Sequence, residues 1–315
     1  MKRAAASLLI IALLYFMLLL WGDFRKQFFS ELPKLLSIMP ILIGFCLASI
    51  IIRFLRWRWL FQRAEVHIRP IFIDFLIYVS GFAFTATPGK VGELVRVRYY
   101  MTFHIPPSQV VSAFVYERTF DLISVLFLAC FAITRMDIFL IATAFVCIFV
   151  GLILLFIVKD TLLLRVADYL KQKRFYRLSD LCMTLREAMV GCRVWLTPQD
   201  ICFSFLFGLL AWGVQSAAFI VLLQYIGISV PLLAASAIFP LATLAGAASM
   251  LPGGIGSTEA VFAALLALHG AGIAISTIAI VGIRVSSIWF SIILGICASV
   301  YLEMRQEKYK KHTVS

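Results

Sequence analysis

The apolar positions of this chain gather into runs. Four of them, 4–21, 36–52, 138–158 and 200–225, suit helices crossing a hydrocarbon core of ~30 Å at ~1.5 Å per residue. Two more, 108–133 and 272–302, are long enough but carry charge inside. Two further regions, 71–104 and 231–269, are apolar yet interrupted, the first by T-P-G-K-V-G-E at 87–93 and the second by L-P-G-G-I-G-S-T-E at 251–259. The pattern predicts an all-α polytopic membrane protein with about six spanning helices and two re-entrant broken-helix hairpins.

Polar positions set the orientation. Cytoplasmic loops collect Lys and Arg, and the basic stretches are R-F-L-R-W-R-W-L-F-Q-R at 53–63, the segment 159–199 and the C-terminal tail. The first of these reads as an interfacial helix whose arginines snorkel between tryptophans. With both termini inside, parity makes 71–104 enter and leave on the cytoplasmic face and 231–269 on the other. Each half then reads as a break, a short helix and a span with an arginine in it, the order expected of an inverted-topology repeat. One membrane domain over 1–315 is expected, with repeat one at about 36–133, a cytoplasmic linker at about 159–199 and repeat two at about 200–302.

Composition agrees with lipid as the solvent. The chain is 63% apolar and 14% charged over 315 residues, with a mean hydropathy of +1.01; a soluble domain of that length could not cover its surface. The net charge of +12 follows from 28 basic and 16 acidic residues. Membrane topology accounts for it without a nucleic-acid partner. Seven scattered cysteines form no C-x-x-C, and four histidines form no H-E-x-x-H, so no metal or cofactor is expected. The N-terminal M-K-R followed by an apolar stretch to Trp21 lacks a small-residue cleavage site and reads as an uncleaved first span.

The candidate chemistry sits at the breaks. A residue before proline is pushed out of the α region, so a helix must end near Thr87. Pro88 suits the first turn of a new helix, and Gly89 and Gly92 permit turning and close approach. A helix N-terminus opened inside the membrane is an anion site, to which Lys90 adds charge, while Glu93 lies within reach of Arg96 at i,i+3. Pro252, Gly253, Gly254 and Gly256, then Ser257, Thr258 and Glu259, repeat the arrangement. The alternative is a packed kink whose glycines only permit helix contact.

Two spans carry charge at depth. In Y-E-R-T-F-D at 116–121, Arg118 lies about 15 Å from a helix start at Ser108, and Arg284 lies ~18 Å from residue 272. Such charges cost at least ~2.5–3.5 kcal/mol each. Glu117, Arg118 and Asp121 share one helix face. Arg284 with Glu259, and Arg118 with Glu93 or Asp121, are the expected ion pairs, and Asp74 is placed near the interface, outside the site.

A-T-P-G-K-V-G-E-L-V-R, Y-E-R-T-F-D, L-P-G-G-I-G-S-T-E and I-R-V resemble the lysylphosphatidylglycerol synthase transmembrane family, also called the flippase-like domain family. The resemblance spans nearly the whole chain. It implies lipid movement between leaflets, with phospholipid, aminoacylated, hopanoid-type or polyprenyl-linked lipids as partners and a separate lipid-modifying enzyme as a candidate protein partner. The family's soluble aminoacyl-transfer domain has no counterpart expected in the chain, which puts synthase activity in doubt. The leading expectation is a non-enzymatic lipid translocase of the cytoplasmic membrane without an ATP-binding motif. The alternatives are a membrane-embedded lipid-modifying transferase or a subunit of a lipid or glycolipid synthesis complex.

Overall fold

A computed structural model describes residues 24–66, 70–130, 137–159 and 161–314; the expected span 4–21 lies outside them. Helix α1 covers Phe24–Arg63, and the first interrupted region follows as α2 (Ile71–Ser80), a 3-10 turn (Gly81–Phe84), a tight segment (Pro88–Val95) and α3 (Arg96–Met101). Next come α4 (Pro107–Ala129), α5 (Asp137–Val158), α6 (Thr161–Gln172), α7 (Tyr176–Gly191) and α8 (Pro198–Tyr225). The second interrupted region is α9 (Leu232–Ala248), a 3-10 turn (Pro252–Gly254) and α10 (Ser257–Leu268). Helix α11 (Ile273–Arg284) runs through a π-helical segment (Val285–Trp289) into α12 (Phe290–Val314). The chain is therefore all-α among the described residues.

Three stretches are apolar and long enough to cross a membrane outright: Leu32–Arg63, Pro198–Tyr225 and Ile273–Arg305. Helix α4, at 23 residues, reaches about 34 Å, but Glu117, Arg118 and Asp121 lie at its centre. The arms α9 and α10, of 17 and 12 residues, reach only about 25 and 18 Å. Neither arm can cross a ~30 Å core alone. They pack on each other, as a hairpin must. Helix α6 turns away from the end of α5 at 83°.

Local sequence explains the helix starts. Pro107 and Pro198 occupy first-turn positions, where a missing N–H costs nothing. The expected start at Ser108 moves forward, because Pro106 is the N-cap residue and Pro107 already lies inside α4. At α8, the Thr197 hydroxyl accepts from the Asp200 N–H (3.2 Å) and donates to its carboxylate (2.6 Å).

The core forms two clusters. One joins the first hairpin to Cys46–Phe61 of α1, the first half of α4 and the first half of α12. The other joins the second hairpin to Leu35–Leu42 of α1, the second half of α8 and α11. On α4 the changeover falls between Phe120 and Val125, directly beside the acidic face of that helix. Ile293, Ile296, Val300 and Met304 form an exposed stripe along α12. At this spacing they share one face, the surface an acyl phase would cover.

Helix contacts are close where glycine stands. A Cβ on Gly295 would run into the backbone of Phe82 and Ala83, and one on Gly208 would meet the Ser124 hydroxyl. Helix α12 is thereby laid against the first hairpin's turn, and α8 against α4.

Candidate functional site

Over 87–90 and 251–254 the two breaks share one backbone shape, and the second adds left-handed Met250 and Gly256 on either side. Thr87 (φ −70°, ψ 150°) and Leu251 (φ −72°, ψ 146°) are extended, as residues before proline should be. Two left-handed residues follow each proline: Gly89 (φ 61°) with Lys90 (φ 57°), and Gly253 with Gly254 (both φ 64°). Left-handed backbone is cheap for glycine and costs a lysine about 1–2 kcal/mol. The break tips touch: a Cβ on Gly253 would lie 3.6 Å from Ala86 Cβ, and one on Gly89 would lie 3.9 Å from Met250 Cε. Pro88 and Gly89 are exposed at this junction.

Two backbone donors at the breaks are taken by side chains, where free helix N-termini were expected. The Gly92 N–H donates to Thr87 Oγ1 (2.7 Å), and the Gly256 N–H donates to Glu259 Oε2 (2.7 Å). Ser257 donates to the Gly254 carbonyl (3.1 Å) and shares a hydrogen with Ser249 (2.8 Å). The Thr258 hydroxyl fills the space beside Gly246 and Gly254. Formal positive charge near the breaks comes from side chains.

Those side chains form one continuous buried network. Arg53 meets Asp121 at 2.7 Å, and Arg56 meets Asp121 at 2.6 Å and Glu117 at 3.3 Å. Arg96 meets Glu93 at 2.7 Å and Glu117 at 3.8 Å. Arg118 stands 3.1 Å from Asp121 and 3.4 Å from Glu117. Tyr78 donates to Glu117 (2.7 Å) and Thr85 to Glu93 (2.8 Å). Arg56, Arg96, Glu93 and Glu117 are fully buried. Arg96 lies between the Trp57 and Tyr78 rings, its guanidinium carbon 4.7 Å from each centroid. Gly81 makes the room, since a Cβ there would sit 2.9 Å from Arg96 Nε and Nη2.

The sequence singled out Glu93, Arg96, Glu117, Arg118 and Asp121, and the fold brings them together. Arg118 pairs with Asp121, not with Glu93. Arg53 and Arg56 were missed. Their stretch was expected at the interface, but it continues α1 into the protein, and both arginines point to the acidic face of α4. The signal was there: Arg53 and Arg56 at i,i+3 share a face, and Glu117 and Asp121 at i,i+4 share another. Asp74, also expected at the interface, is buried. It accepts from Tyr100 (2.9 Å), which accepts from Trp57 (2.8 Å), and Arg58 stands 3.9 Å away.

The second break is simpler. Arg284 Nε lies 2.8 Å from Glu259 Oε1, and Arg284 Nη2 donates to the Gly253 carbonyl (2.7 Å). No ion pair links this set to the larger network among the described residues. The described residues hold no group of His, Cys, Asp and Glu suited to a metal.

Broken helices that meet at their tips, beside a buried charge network, mark an integral membrane protein with charged side chains inside its helix bundle. The sequence matches the family described as the lysylphosphatidylglycerol synthase TM region over residues 4–295, and the chain belongs to that family. No curated protein and no solved structure matches it.

Proposed function

We propose that this protein moves a polar-headed membrane lipid between leaflets, the headgroup passing the junction of the two breaks while the acyl chains stay in lipid. The observation that carries this reading is the buried network of Arg53, Arg56, Arg96, Arg118, Glu93, Glu117 and Asp121, with Lys90 beside it, at the touching tips. Ionisable groups at membrane depth are expensive and face interior pathways, and irregular backbone is tolerated there only under protein or beside a cavity. The lipid association of the family supports the same reading. Each carboxylate of the network is held by a cation and by a further donor or cation, an arrangement suited to fixed charge and poorly suited to acid–base turnover.

The site residues of this reading are Pro88, Gly89, Lys90, Gly92, Glu93, Arg96, Glu117, Arg118 and Asp121 in the first half. In the second half they are Pro252, Gly253, Gly254, Gly256, Ser257, Glu259 and Arg284. The matched backbone at the breaks supports an inverted repeat over about 36–133 and 200–302. The basic segment 159–199 supports the reading of both termini in the cytoplasm, with the protein in the cytoplasmic membrane.

The test is leaflet exchange of a fluorescent phospholipid in vesicles containing the purified full-length chain. Protein-dependent exchange with unchanged lipid mass is the expected result. A new covalent lipid species in the same vesicles would replace this reading with a lipid-modifying enzyme.

A further inference from the structure

The two break regions differ in charge although they match in backbone. Around the second, Arg284 and Glu259 are one cation and one anion. The first network contains four arginines, Arg53, Arg56, Arg96 and Arg118, against three carboxylates, Glu93, Glu117 and Asp121. One positive charge is left over. Lys90 adds a second: it sits at the break tip with its Nζ 5.8 Å from the Trp212 ring centroid, and no carboxylate stands within ion-pair distance of it among the described residues. Arg53 covers the same ring at 4.4 Å.

The network also keeps unused donors. Arg56 Nε, Arg118 Nε and Trp212 Nε1 are buried without a hydrogen-bond partner, against one buried acceptor left open, Glu117 Oε2, which faces Arg96 Nη1 at 3.8 Å. Buried donors are nearly always satisfied, and each exception calls for a cause. Trp212 is 6% exposed, and its ring is the surface over which Arg53 and Lys90 lie. A surplus of cations together with spare N–H donors calls for a ligand that is anionic and rich in acceptors.

We infer that the headgroup accepted here is a lipid phosphate without a compensating cation, and that Lys90 and the surplus of Arg53, Arg56, Arg96 and Arg118 turn away headgroups bearing ammonium groups. This specificity deepens the lipid-translocation reading and rests on it. It is not what the family's description suggests, because esterifying phosphatidylglycerol with lysine makes its headgroup net cationic. Like charge brought against a desolvated cation is opposed far more strongly than in water. Lys90 is the specificity residue, and its left-handed backbone holds its side chain at the junction. Glycine occupies the corresponding place in the other break, as Gly254.

The experiment is displacement of fluorescent phosphatidylglycerol from the full-length protein in maltoside micelles. Unlabelled phosphatidylglycerol should displace the probe at a concentration about tenfold or more below that needed for lysylphosphatidylglycerol. In Lys90→Gly, a substitution that relieves the left-handed backbone and so should fold, the ratio should fall towards one. Lysylphosphatidylglycerol displacing the probe as well as phosphatidylglycerol does in the wild type overturns the inference. Inorganic phosphate alone displacing it at the same concentration as the lipid overturns the lipid source. A clear preference in micelles with no leaflet exchange in vesicles supports the anion site and sinks translocation instead, so the two readings fail separately.

Discussion

Arg284 reaches back thirty-one positions to donate to the carbonyl of Gly253 at 2.7 Å, and its Nε faces Glu259 at 2.8 Å. The left-handed tip of the second break is thereby tied to the span after it. Arg284→Gln would leave Glu259 with its Gly256 N–H and no cation, and loss of one partner of this partly buried pair costs about 1–3 kcal/mol. The expected outcome is a lower unfolding temperature in detergent, with a drop larger than that of Glu259→Gln, whose amide oxygen can still accept from Gly256. An unchanged unfolding temperature in both variants would remove the tie.

Arg56 and Asp121 offer a sharper case because both are buried and 2.6 Å apart. Arg56→Met should destabilise by about 3–5 kcal/mol. Adding Asp121→Asn should cost less than the two single losses combined, with a coupling of about 0.5–3 kcal/mol. Denaturant unfolding of the four proteins of the cycle measures it, and simple additivity would mean the pair is not coupled.

Ala substitutions at the tips separate shape from fold. Gly89 and Gly253 are left-handed, and alanine there costs about 1–2 kcal/mol. Pro88→Ala with Gly89→Ala, or Pro252→Ala with Gly253→Ala, should leave a folded, membrane-inserted protein that has lost leaflet exchange. Wild-type exchange rates in both variants would reduce the breaks to packing features.

Gly295 tests packing alone. Its Cβ would collide with the backbone of Phe82 and Ala83, which cannot rotate away as a side chain could. Gly295→Ala should destabilise by about 1–3 kcal/mol, whereas Gly151→Ala, mid-helix with open space around it, should stabilise by about 0.5–1 kcal/mol in the same thermal assay.

The sequence carried the lipid environment, the two breaks and the pairing of Glu93 with Arg96, because each is local: run length, a proline after an extended residue, an i,i+3 spacing. It also carried Arg284 with Glu259, since an arginine inside an apolar run has few partners. It did not carry Arg53 and Arg56. An arginine-and-tryptophan stretch has the same composition whether it lies at the interface or crosses the interior. The choice is made by the acidic face of α4, more than sixty residues away. The satisfied donors at the breaks were illegible for a related reason. Whether Thr87 or Glu259 turns inward to take an N–H depends on the left-handed residues nearby, Gly89 and Lys90 in one break and Gly256 in the other, and glycine permits that turn without announcing it.

The π-helical segment at Val285–Trp289 has a consequence for how this protein tolerates change in length. Residues around an α-helix advance by about 100° each, so the segment sets the rotational phase between α11 and α12. Arg284 must face Gly253, and Gly295 must face the Phe82–Ala83 backbone. Deleting one residue from 285–289 would turn one of these faces by about a quarter-turn relative to the other. The stretch therefore works like a vernier between the second break and the first hairpin, and its length sets the register of one against the other.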